Sequence, residues 1–190
     1  MAWAVKLLLG EVTRSGGVNG TPLWYGPRKA ATGYSGGTFM HVSASGTTLD
    51  TPSTVPAWAK RIEVGVGGLS RSGSSVMLVQ IGDSSGIETT SYEAATANHA
   101  ASTSGNTSGI PMSGGEAAGA TWSGTITLLL VDPATNTWAI SAMLARTDSA
   151  GMNYGAGQKS LSGVLTIVRL TMANGTDTWD AGKVSFQYYS

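Results

Sequence analysis

The chain has 190 residues, no Cys and only 12% Asp, Glu, Lys and Arg, its 11 acidic side chains balancing 11 basic ones, where about 25% charged residues is usual for a soluble domain. That length suits one domain with a sizeable core, and without Cys neither disulfides nor thiolate metal sites can hold it together. No basic stripe is present to neutralise phosphates and no basic amphipathic stretch to meet a membrane, so neither nucleic acid nor membrane insertion is an expected partner.

The opening MAWAVKLLLG has an apolar run of only Leu7, Leu8 and Leu9 after Lys6, too short for a signal-peptide core or a membrane span. Residues 3–9 are expected to form a first strand, in a protein made and used without Sec export. Residues 1–45 otherwise carry turn residues and little periodicity, as in Gly16-Gly17-Val18-Asn19-Gly20 and Gly33-Tyr34-Ser35-Gly36-Gly37. They read as a short irregular segment preceding a regular domain over 46–190. Pro22 and Pro27 bound a loop holding Trp24 and Tyr25, aromatics that either pack on their own core or dock on a neighbouring subunit.

From residue 46 the pattern turns to period two, the signature of half-buried strands. Trp58, Lys60, Ile62, Val64 and Val66 share a parity that predicts a core-facing strand edge, with Gly67–Ser74 as a flexible connection. The apolar run Val76–Ile81 predicts a strand buried on both faces, Gly82–Gly86 a turn, and Ile87–Tyr92 another strand. Residues 93–121 are the least patterned; an Ala-rich helical turn is expected near 94–101, then a long loop. Gly124–Val131 and Asn136–Leu144 predict a hairpin around Asp132-Pro133-Ala134-Thr135. A second loop is expected over 146–160. Two final strands, Val164–Leu170 and Val184–Tyr188, flank Asn174-Gly175, read as a tight turn joining them. Many strands with no long helix predict an all-β fold, a jelly-roll-like β-sandwich, and the 27 Gly, 23 Ser and 23 Thr suit its turns and exposed faces.

No catalytic constellation stands out. His41 and His99 are the only histidines, and neither accompanies a G-x-S-x-G elbow. Asp83, Glu88 and Glu93, and Asp177 and Asp180 around Trp179, are the acids that glycoside cleavage would need in pairs, but Asp in such Gly- and Ser-rich settings reads better as a turn cap. Nothing reaches the acidic density of a calcium loop or carries a cofactor motif. The aromatics are selective: six Trp and six Tyr against two Phe, rings that pair an apolar body with a polar handle. Trp58, Trp138 and Trp179 are expected in the core. Trp24, Tyr25, Trp122 and Tyr154, in or beside loops, are the expected contact residues.

Three stretches carry a likeness: Val55-Pro56-Ala57-Trp58-Ala59-Lys60-Arg61-Ile62, Leu78–Tyr92, and Leu161–Thr171 followed by Asn174–Gly182. In this order they resemble a β-domain of tailed-bacteriophage virion proteins, over about residues 46–190. The resemblance implies a trimerising jelly roll found at tail-fibre ends and in accessory virion proteins, with no catalytic residues to carry over. It implies a non-enzymatic structural protein of the virion, assembled in the host cytoplasm. Residues 1–45 would attach it to other virion proteins, and loops 93–121 and 146–160 would face a host receptor or glycan. A capsid-decorating cement protein and a polysaccharide depolymerase are the alternatives.

Overall fold

In the computed structural model, residues 42–98 and 103–190 are described, and alternation of side chains dictates their architecture. Thirteen strands form among them: β1 (Val42–Ser43), β2 (Thr48–Asp50), β3 (Arg61–Arg71), β4 (Met77–Asp83), β5 (Gly86–Ile87), β6 (Glu93–Asn98), β7 (Thr103–Asn106), β8 (Ile110–Pro111), β9 (Trp122–Asp132), β10 (Thr137–Arg146), β11 (Met152–Ser160), β12 (Ile167–Met172) and β13 (Trp179–Tyr189). No helix occurs among the described residues, and so none long and apolar enough to cross a membrane.

The strands make two antiparallel sheets, the all-β sandwich that the periodicity predicts. Sheet A has eight strands in the order β1-β13-β3-β9-β10-β11-β6-β7; sheet B has five, β2-β12-β4-β5 with β8 on β4. Ile62, Val64, Ile126, Leu128, Trp138, Ile140, Val184 and Phe186 of sheet A share one buried cluster with Leu49, Met77, Val79, Ile81, Val168 and Leu170 of sheet B. Burying each such side chain contributes roughly 1.5–3 kcal/mol. All seven residues of β4 are buried. Its second face is covered where Gln80 Nε2 donates to Ser108 O at 2.8 Å and Gly109 packs on Leu78.

Several expectations need correction. β3 does not stop at Val66: Gly68 at φ +61° makes a bulge, the parity flips to Leu69 and Arg71, and these two and Ser70 between them are buried. Trp58 is 36% exposed, because the strand starts only at Arg61 and Trp58 lies in a turn closed by Ala59 N–H to Pro56 O. Of the expected Ile87–Tyr92 strand only Ile87 is paired as strand, together with Gly86 of the preceding turn. The Ala-rich stretch is strand β6 as far as Asn98, because Glu93–Asn98 pairs residue for residue with β11. Residues 152–160 are likewise a strand rather than a loop. The last two long strands do not form a hairpin: β12 belongs to sheet B and β13 to sheet A. Between them Asn174 Oδ1 accepts from Thr176 N–H and Asp177 N–H, and Asp177 Oδ2 accepts from Ser75 N–H at 3.0 Å. Asn174-Gly175 thus carries the chain from one layer to the other.

The 124–144 hairpin forms as expected. Asp132 Oδ1 accepts from Ala134 N–H at 2.8 Å, and Asn136 takes the left-handed conformation at φ +49°.

Candidate functional site

The outward side chains of sheet A fall into rows across β9, β10, β11 and β6. One row is Thr125, Met143, Tyr154 and Ala97; the next is Thr127, Ser141, Ala156 and Ala95; the third is Leu129, Ala139, Gln158 and Glu93. On β3 the rows continue as Gly65, Glu63 and Arg61, and on β13 as Ser185, Gln187 and Tyr189.

A solvated antiparallel face ordinarily alternates polar-out. This one exposes Leu129 at 49%, Val131 at 60%, Met143 at 53% and Tyr154 at 45%. The middle row holds nothing larger than Thr, and a trough of about 540 Å³ lies over it, walled on one side by Met143 and Tyr154. Across these four strands the one charge in the rows is Glu93, whose Oε2 accepts from Gln158 Nε2 at 2.7 Å. Arg61 and Glu63 of β3 pair with each other. The Tyr154 hydroxyl contacts Met152 Sδ at 3.6 Å along the same strand, extending the ridge with a second thioether.

The opposite side of β11 and β6 is polar, and a cleft of about 270 Å³ lies there against the 111–116 segment. Its groups are committed to the fold. Asn153 is 1% exposed and donates to Glu116 Oε1 at 2.7 Å; Glu116 lies 3.5 Å from the fully buried Arg71. Arg71 donates to Ser113 Oγ at 3.2 Å, Gly114 O at 3.3 Å and Glu116 O at 3.1 Å. Burial pulls its guanidinium below the ordinary arginine value, with Glu116 pushing back. Thr96 Oγ1 donates to Tyr154 O, and Asn106 Oδ1 accepts from Ser108 N–H and Oγ–H. The cleft is a set of braces.

A third cluster joins the β4–β5 turn to the β11–β12 connection. Lys159 Nζ lies 2.5 Å from Glu88 Oε2 and 5.6 Å from the Tyr92 ring centre. Ser162 Oγ–H donates to Asp83 Oδ2 at 2.6 Å, and Ser85 supplies two more bonds to Oδ1. The Ser162 and Ser85 bonds hold the Asp83 carboxyl down at about 2. Both Asp83 carboxylate oxygens are thus taken up by hydrogen bonds within the turn and from Ser162. Tyr92 is pushed up to about 12 by burial and is spent on Ile81 and Glu88 backbone groups. Among the described residues no three His, Cys, Asp or Glu are grouped to hold a metal ion.

The expected contact residues separate. Tyr154 stands on the trough wall. Trp122 is 1% exposed, its ring enclosed in the core with Arg146 5.9 Å from its centre, so it is no part of the exposed surface. It opens β9 at a position whose parity turns inward. Trp24, Tyr25, His41 and His99 lie outside the described residues. Trp138 and Trp179 are buried as expected. What the sequence reading missed is the trough itself, whose floor comes from alternate Ala, Ser and Thr on four strands. The outward parity shared by Ala95 and Ala97, Ser141 and Met143, and Tyr154 and Ala156 is the signal that could have found it. No family model, curated protein or solved structure matches the chain.

Proposed function

We propose that this chain is a non-enzymatic contact subunit of a virion, most simply a tail-fibre or tail-tip protein, working through the outer face of sheet A. The observation that carries the contact role is that face: a rigid sheet surface, nearly free of charge, with a trough beside exposed Leu129, Met143 and Tyr154. Exposed apolar patches of this kind mark interaction sites. Two of the acids that glycoside cleavage would need support the non-enzyme reading from the other side, since Asp83 is bonded to Ser85 and Ser162 and Glu88 is paired with Lys159. The virion assignment rests on the resemblance of residues 46–190 to phage structural domains.

Labelled protein should adsorb to host cells and compete with phage infection. No competition at saturating protein would remove the receptor-contact reading. Loss of capsid stability in particles lacking the protein would move it to the shell. Release of reducing sugar from host polysaccharide, abolished by Asp83→Asn, would replace the whole reading with a depolymerase.

A further inference from the structure

We infer that the outer face of sheet A is covered by a second copy of this chain, the two sheets packing face to face about a two-fold axis. The inference rests on the reading of that face as the contact surface and names its occupant.

The face is complementary to itself. Met143 and Tyr154 form a ridge, and one row away Thr127, Ser141, Ala156 and Ala95 form the floor. Rows two residues apart are separated by about 6.8 Å. A two-fold axis lying in the interface, parallel to the rows and midway between ridge and floor, sets each ridge over the other copy's floor. That is the isologous arrangement in which patch i meets j and j meets i. The same operation leaves the position of each strand along the axis unchanged. Glu63, in the floor row on β3, therefore comes opposite Gly65 of the ridge row and not opposite a like charge.

Area points the same way. The axis maps residues 123–129 of β9 onto one another, and with six strands from β13 to β6 spaced about 4.8 Å the shared face is roughly 29 Å by 20 Å. That is on the order of 600 Å² per partner, at the lower end of a standard stable interface. Its composition also fits: apolar and small at the centre, with Arg61, Glu63, Gln187 and Tyr189 at one border and Gln158 and Glu93 toward another. Large aromatic and thioether knobs facing Ala and Ser holes are what sheet-on-sheet packing at ~10 Å requires, since two floors of small residues alone would leave a void.

The test is the mass of the full chain by sedimentation equilibrium from 1 to 100 μM, beside three variants. The wild-type chain is expected to sediment in units of even copy number, twice the 19.3 kDa chain mass in the simplest case. Ala156→Arg, an exposed position on the floor, should halve the mass with the far-UV circular dichroism unchanged. Tyr154→Ala should raise the dissociation constant by about tenfold or more. Val164→Arg, at an exposed apolar residue away from the rows, should leave the assembly intact. A wild-type monomer at 100 μM overturns the inference, as does an assembly of any order whose mass Ala156→Arg leaves unchanged. An even-numbered assembly with no adsorption to host cells would sink the receptor reading and leave the pairing standing.

Discussion

In β3, β9 and β10 the inward residues include Ile62, Val64, Ile126, Leu128, Trp138 and Ile140, all buried against sheet B. In β11 and β6 the inward positions are Asn153, Gly155, Gly157, Lys159, Ala94, Thr96 and Asn98. The first region is held by apolar burial, whose cost of ordering is offset side chain by side chain. The second has almost nothing apolar to bury. It is held by close backbone approach and by buried polar braces: Asn153 to Glu116 to Arg71, and Lys159 to Glu88. A Cβ at Gly155 would stand 1.6 Å from Pro111 O, and one at Gly157 would stand 2.3 Å from Glu93 O. Where β8 of sheet B comes too close to β11 and β6 for large side chains, glycine and hydrogen bonds replace the apolar core, and the far side is left as a face whose one charge in the rows is Glu93.

Breaking the braces should therefore hurt as much as breaking the core. Arg71→Ala leaves Glu116, Ser113 and Gly114 O without their buried partner, and a loss of about 3–5 kcal/mol is expected in urea unfolding. A loss below about 1 kcal/mol would mean that apolar burial alone carries both regions. Gly155→Ala comes next, at about 1–3 kcal/mol from overpacking against Pro111, with faster amide exchange concentrated in β11, β6 and β8. Uniform destabilisation across β3 and β9 would contradict the division into two regions.

Acid should act on the turn that anchors the second region. Asp83 has an unfolded value near 3.9 and sits at about 2 when folded. Its contribution is fully present above about pH 4 and is lost as pH falls through about 2. Asp83→Asn should flatten the decline in stability over that window, with a smaller effect at neutral pH than either substitution above. An unchanged acid profile would show that the Ser162 and Ser85 bonds are not coupled to folding.

The apolar region is the one the sequence made legible. Ile62, Val64 and Val66, and the whole run Met77–Ile81, announce their burial through period and composition, and the 124–144 hairpin through Asp132-Pro133. The second region was hidden because its signals are those of loops. Ala94–Asn98 has helix-forming composition, and Met152–Ser160 has two glycines and no β-branched side chain. Tertiary pairing decided both against local propensity. The two-layer path of β12 and β13 was hidden for another reason. Asn174-Gly175 marks a reversal, but it cannot say whether the returning strand pairs with its predecessor or crosses to the facing sheet. Of the contact residues, Tyr154 lay on a strand read as a loop, and Trp122 looked loop-borne because it follows the Ser-, Gly- and Ala-rich stretch 113–121, while its burial comes from pairing with Leu69 past the β3 bulge.

The claim that sheet A works with its outer face covered is tested most directly by the oxidation rate of Met143, which is 53% exposed, while Met77 and Met172 are buried at 0% and 2%. Peptide mass spectrometry after brief hydrogen peroxide treatment at 100 μM, on the wild-type chain and on Ala156→Arg, separates the cases. Met143 is expected to oxidise about tenfold or more slowly in the wild-type chain than in Ala156→Arg, while Met77 and Met172 stay slow in both. A Met143 rate that Ala156→Arg leaves unchanged would contradict the covered face.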